Sequence, residues 1–90
     1  MKKEDLSKII VEVNGEKRKL TQRGEWYTLC VGDVELVVTG MVWCILSIEA
    51  FWPEPIIDWR ESTSQLEALK EAVAYTNNYW NFNIKLEWEK

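Results

Sequence analysis

The chain has 90 residues, 47% hydrophobic and 29% charged, with a net charge of −4 from 15 acidic and 11 basic side chains. That size fits a single domain spanning 1–90, with one core able to bury roughly 60–65% of the unfolded surface without staples. The acidic balance argues against nucleic acid and anionic membrane as partners, because both reward clustered Lys and Arg, and the most apolar run, Met41–Trp52, is twelve residues long where a membrane span needs about 20.

The opening Met1–Asp5 carries two lysines and two acids with no apolar run behind it, which is not the pattern of a secretory signal. With only two cysteines, the expectation is a cytoplasmic protein whose thiols stay reduced. Residues 1–6 are expected to be flexible. Lys8–Val13 alternates and ends at Asn14-Gly15, the strongest short hairpin signal. Glu16–Thr21 returns, Arg23-Gly24 marks a second turn, and Trp26–Val31 follows. Gly32-Asp33 suits a turn with glycine first. Val34–Val38, a turn at Thr39-Gly40, and Met41–Ile48 complete a five-stranded antiparallel meander.

Carrying the pairing register through these two-residue loops gives the sheet a uniform apolar face. Ile9, Val11, Val13, Leu20, Tyr27, Leu29, Val31, Val34, Leu36, Val38, Met41, Trp43 and Ile45 fall on it, with Glu16, Arg18 and Ser47 as intruders. A one-residue slip in any loop would scramble the set. Arg18 lies at the periphery of that face, where its stem would snorkel. The second face begins polar, with Glu12 opposite Lys17, and turns apolar at Trp26, Cys30, Val37, Val42, Cys44, Leu46 and Ile48. The fifth strand is apolar on both sides, which suits a central position.

Residues 51–61, with two prolines at spacing two, read as an irregular Pro/Trp loop, since proline breaks helices and central strands. A helix follows, with a capping box at Ser64 and Glu67 and a second candidate at Ser62 and Gln65. Leu66, Leu69, Val73, Thr76 and Trp80 form its apolar stripe, while Glu67, Lys70 and Glu71 face away. The strict alternation of Phe82, Ile84, Leu86 and Trp88 with polar residues makes a final half-buried strand. The fold class is therefore α+β: a five-stranded antiparallel β-meander, one long helix packed on one sheet face, and a C-terminal strand. A right-handed crossover would lay that strand parallel to the fifth; the alternative places it beside the first.

Catalytic chemistry is poorly supplied. The absence of histidine removes the usual general base and the commonest metal ligand. The glycines lie singly in turns rather than in a phosphate-cradling cluster. In the register above, Cys30 and Cys44 both lie opposite Glu35, roughly 9–10 Å apart, beyond disulfide reach. Both read as small apolar packing. Glu49, Glu54, Asp58 and Glu61 cluster in or near the proline loop and read as a solvated acidic surface or as contacts for a basic partner. The expectation is no enzyme, no cofactor and no metal.

Six tryptophans exceed what so small a core needs. Trp43, Trp80 and Trp88 fall on the sheet–helix side. Trp26, Trp52 and Trp59 collect around the second face and the proline loop. An apolar second face is seldom left bare, and three covers compete: the segment Phe51–Trp59 folding back over it, a second copy in a homodimer, or a foreign protein. The reading preferred is a small acidic non-enzymatic binding protein that occludes a protein partner, as an inhibitor or immunity-like protein of bacterial or phage type does. Its contact residues would be Trp26, Trp52, Glu54, Ile57, Asp58, Trp59 and Glu61, an aromatic core with a polar rim. The alternatives are a small-molecule module between sheet and helix, lined by Trp43, Tyr75, Tyr79 and Trp80, and a structural subunit of a homo-oligomer.

Overall fold

The computed structural model describes residues 6–48 and 54–88. A 3-10 turn at Leu6–Lys8 leads into β1 (Ile9–Val13), β2 (Glu16–Lys19), β3 (Thr21–Arg23), β4 (Trp26–Val31), β5 (Val34–Thr39), β6 (Val42–Ser47) and β7 (Glu54–Glu61). Helix α1 (Gln65–Trp80) and strand β8 (Ile84–Trp88) follow. The α+β class holds, with an antiparallel meander, a helix and a closing strand. The strands divide into a five-stranded sheet, β3-β4-β5-β6-β7, and a three-stranded sheet, β2-β1-β8.

The division falls at Leu20. Lys19 still pairs with Ile10 of β1, whereas Thr21 already pairs with Thr28 of β4. One extended arm thus serves both sheets, a bend of the kind that makes corners between packed sheets. Leu20 packs against the core at this corner. Arg18 does not snorkel over the apolar face. Its Nη2 donates to the Cys30 carbonyl at 2.6 Å, capping β4 where β3 has ended. Leu6, expected to be flexible, is fully buried; residues 1–5 lie outside the described set.

The hairpin loops Asn14-Gly15 and Gly32-Asp33 close as expected, between Val13 and Glu16 and between Val31 and Val34. The other two loops sit one residue later than expected, at Gly24-Glu25 and Gly40-Met41. Gly24, Gly32 and Gly40 each open a loop with positive φ, which side-chain-bearing residues adopt at a cost. Moving a loop by one residue shifts the pairing by two and leaves every side chain on its face. The inner face is therefore as read, except that Met41 lies in the turn and is exposed.

Residues 54–61 form a strand rather than an irregular loop, while 51–53 lie outside the described residues. β7 is an edge strand, where a proline costs no ladder hydrogen bond. Its pairing with β6 shifts register twice: Trp43 faces Arg60, Ile45 faces Ile57 and Leu46 faces Pro55. Asp58 and Trp59 therefore both stand against the single position of Cys44.

Helix α1 packs on β5, β6 and β8. Ser64 is its N-cap, accepting from the Glu67 amide at 3.1 Å, half of the expected capping box. Leu69, Val73 and Thr76 are buried, together with Ala68 and Ala72, and Leu66 and Trp80 pack at the margin. The Thr76 hydroxyl donates back to the Ala72 carbonyl at 2.8 Å, so its burial leaves no polar group orphaned. The core they complete is one cluster joining β1, β4, β5, β6, α1 and β8.

Strand β8 runs antiparallel to β1, Ile9 facing Trp88 and Val13 facing Ile84, the alternative placement rather than the parallel one beside β6. The Asn14 amide donates to the Asn83 carbonyl at 3.2 Å, which makes Val13–Ile84 a pair whose own amides point outward. Asn77 occupies that outward edge. Its Nδ2 donates to the Ile84 carbonyl at 3.0 Å and its Oδ1 accepts the Ile84 amide at 2.9 Å. A side chain near the end of α1 thus stands in for a neighbouring strand. Asn81, the C-cap, takes φ +56° and turns the chain back.

Asn77→Ala removes both bonds and is expected to destabilise the fold by about 1–2 kcal/mol, with faster hydrogen exchange at Ile84. Ser64→Ala costs about 1 kcal/mol through the lost cap and leaves Ile84 exchange unchanged apart from that global shift. Chemical denaturation and amide exchange read the two effects separately.

Candidate functional site

The outer face of the five-stranded sheet carries the side chains that the core does not use. Trp26, Thr28 and Cys30 line it on β4, Glu35, Val37 and Thr39 on β5, and Val42, Cys44 and Leu46 on β6. Val37 and Cys44 are 1% and 2% exposed although they point away from the main core. Trp26 and Trp59 flank them from strands three steps apart, which in a sheet is about 14 Å. Their ring centroids nevertheless meet at 5.5 Å, edge to face. Both indoles must therefore lean inward over β5 and β6. The bulge at Asp58-Trp59 turns Trp59 toward this face. Each indole remains 46% exposed, so the pair also offers apolar surface to solvent.

Beside the pair lies a groove of about 400 Å³ lined by Arg23, Trp26, Thr28, Glu35, Val37 and Leu46. Glu35 faces Cys30 on one side and Leu46 on the other, and Cys44 faces Val37 rather than Glu35. Both thiols are free. The Cys30 thiol donates to Glu35 Oε2 at 3.4 Å. Burial, this hydrogen bond and the Glu35 charge push its pKa up, against the opposing pull of Arg18 and Arg23. Burial, with the charges of Asp58 and Glu35, pushes Cys44 up to about 11. Neither is an activated nucleophile.

Of the expected contact residues, Trp26 and Trp59 come together. Asp58 lies close enough to Cys44 to act on its thiol. Glu61 is exposed opposite Val42, next to the pair. Ile57 belongs to the other side, facing Ile45 and packed against the core. Glu54 begins β7 opposite Ser47. Trp52 and Glu49 lie outside the described residues. Segment 54–61 lengthens the sheet instead of folding back over its outer face, and only Trp59 reaches across. Arg23 and Glu35 complete the groove as a cation and an anion; both lie outside the aromatic-acidic segment, and the alternation of β5 is the signal that points to Glu35.

On the inner side, Trp43 is 3% exposed and its indole N–H donates to Glu71 Oε1 at 3.2 Å. The Ser62 hydroxyl donates to Glu71 Oε2 at 2.5 Å, so Ser62 serves as a partner of Glu71 rather than as a cap, and Glu71, exposed as expected, holds both side chains. The Arg60 guanidinium sits 5.8 Å from the ring centroids of both Trp43 and Tyr75. Tyr75 stacks on Tyr79 at 5.7 Å, and Tyr79 meets Trp80 at 4.5 Å. Trp43 and Tyr75 thus pack on each other and on Arg60, Tyr79 and Trp80 both contact Tyr75 as well, and Trp80 also borders a separate cleft. The side chain of Trp88 lies outside the described residues. Among the described residues, no helix is long and apolar enough to cross a membrane, and no three His, Cys, Asp or Glu side chains group as metal ligands.

Comparison with protein-family models, curated proteins and solved structures finds no match to this chain.

The raised thiol pKa gives a pH signature with a definite sign. An unfolded thiol ionises near 9.0, whereas folded Cys44 keeps its proton to about 11. The associated stability is complete below pH 9.0 and is lost as pH climbs toward 11. The stability gap between the wild type and Cys44→Ala should therefore narrow across that interval in denaturation titrations. At neutral pH, iodoacetamide should label exposed Cys30 slowly and leave Cys44 unmodified.

Proposed function

We propose that this chain is a small acidic, non-enzymatic, cytoplasmic binding protein that occludes a protein partner, as an inhibitor or immunity-like protein of bacterial or phage type does. The outer face of the five-stranded sheet is its docking surface, with Trp26 and Trp59 as anchors. The observation that carries this reading is the tryptophan pair: two half-exposed indoles brought together from strands three apart, over a face whose centre is already dry. Interface hot spots are enriched in tryptophan and sit at the centre of a patch, surrounded by contacts that exclude water. Glu35, Asp58 and Glu61 supply a rim that favours a basic partner surface, and Arg23 supplies one counter-charge. Rings already packed on each other lose little freedom on binding.

Replacing both Trp26 and Trp59 by Ala removes the anchors while leaving the inner core intact. A partner captured by the wild type, identified by mass spectrometry and purified, is expected to bind the double variant at least about a hundredfold more weakly, since a hot-spot residue contributes roughly 2 kcal/mol or more. Circular dichroism verifies that the variant is folded. Unchanged affinity in a folded variant would remove the outer face from the contact. Light scattering across a concentration range tests the second copy as occupant, which would appear as a mass doubling that the double variant abolishes.

A further inference from the structure

A second cavity lies at the opposite margin of the sheet, where the β4–β5 turn meets the carboxyl end of α1. It has a volume of about 500 Å³, and its walls include Gly32, Asp33, Ile56, Trp80 and Phe82. Ligand sites run from roughly 300 to 1,000 Å³. We propose that this cleft binds an organic cation, a primary or quaternary ammonium group, held between the Asp33 carboxylate and the rings of Trp80 and Phe82.

Three independent features give the cleft one electrostatic sign. Asp33 is exposed, makes no ion pair among the described residues, and sits in a two-residue loop. The Ile48 amide donates to its backbone carbonyl at 3.0 Å and fixes that loop in place. Helix α1 ends at Trp80 with no basic residue in its last turn. The partial negative charge of its terminal carbonyls, equivalent to about half an elementary charge, is therefore unopposed within the helix. Trp80 and Phe82 add aromatic rings to the lining, and such rings attract cations, above all those with a weakly hydrated, methylated surface. Ile56, 38% exposed, offers the apolar contact that alkyl groups on such a cation need.

Gly32 is what lets the wall form. Phe82 Cζ lies 3.1 Å from the position a Cβ would take there. A side chain at residue 32 would require the ring to give way by a few tenths of an ångström, and φ +57° adds backbone strain. The close approach of turn and ring closes one end of the cleft. An anion would meet the carboxylate and the helix terminus with the wrong sign. A neutral molecule of the same shape would lose the charge interactions and keep only the apolar contact.

The test is a titration of the isotopically labelled full chain, followed by amide and indole resonances. Choline and n-butylammonium serve as the quaternary and primary probes, and the uncharged isostere of choline, with carbon in place of nitrogen, serves as the control. Saturable shifts are expected at Gly32, Asp33 and the Trp80 indole, in the millimolar range, with no matching response to the isostere. Asp33→Asn suits the turn and should weaken binding about fivefold; rising ionic strength should weaken it as well. A response to choline alone assigns the site to quaternary ammonium groups; a response to both ions assigns it to organic amines in general, including a partner's lysine side chain. Absence of saturable shifts with either ion, an equal response to the isostere, or unchanged affinity in Asp33→Asn would overturn the proposal. The Trp26 and Trp59 double variant should bind choline as the wild type does, so the two sites stand or fall separately.

Discussion

Everything in this fold answers to β5 and β6 being buried on both faces. Leu36, Val38, Trp43 and Ile45 are dry on the inside, and Val37 and Cys44 are dry on the outside. Each strand face that is removed from water needs a cover. On the inside, α1 packs directly on both strands, and the three-stranded sheet adds β1 and β8 to the same cluster. On the outside, the cover seen among the described residues is two side chains, Trp26 and Trp59, leaning across the strands between them. Large aromatic rings can do this because each removes some 150–250 Å² of surface from water. The same rings leave half their area exposed, so the solution to a packing problem is also a surface that invites a partner.

The inner cover is tied down by polar contacts at its two ends. Toward the start of the helix, Glu71 accepts from both Trp43 and Ser62, which locks the buried indole to α1 and to the segment leaving β7. Arg60, opposite Trp43 on β7, lies over Trp43 and Tyr75 and joins the edge strand to the same cluster. Toward the end of the helix, Asn77 holds Ile84 by both of its backbone groups. These contacts set the position of Trp80 and Phe82 relative to the β4–β5 turn, and so determine the shape of the cleft there. The two candidate sites therefore draw on different parts of the structure: one on the width of the sheet, the other on the way the helix is anchored to it.

Much of this was legible in the residues. The hairpin loops at Asn14-Gly15 and Gly32-Asp33, the Ser64 cap and the stripe from Leu66 to Trp80 follow from local chemistry. The inner face survived two misplaced loops because an even register shift preserves the side on which each residue points. Three features were not legible. Segment 54–61 carries Pro55, which argues against a strand, but an edge strand has a side on which a missing N–H is harmless. The break at Leu20 has no marker such as Gly or Pro, and it divides the meander into two sheets, with β8 joining the edge that β1 presents as the first strand. The contact of Arg60 with Trp43 depends on β7 lying beside β6, and that of Glu71 on where α1 sits over β6, so neither follows from local sequence. For the site, Trp26 and Trp59 were singled out by composition and face, whereas the inward placement of Ile57 depended on the double register shift.

On the proposed function, the outer cover doubles as the docking surface. The most direct measurement is the indole N–H spectrum of the free chain and of the chain saturated with its captured partner. The Trp26 and Trp59 signals are expected to shift or broaden on binding while the Trp43 signal, held by Glu71 on the inner face, stays in place. Unmoved Trp26 and Trp59 signals in a saturated complex would contradict it.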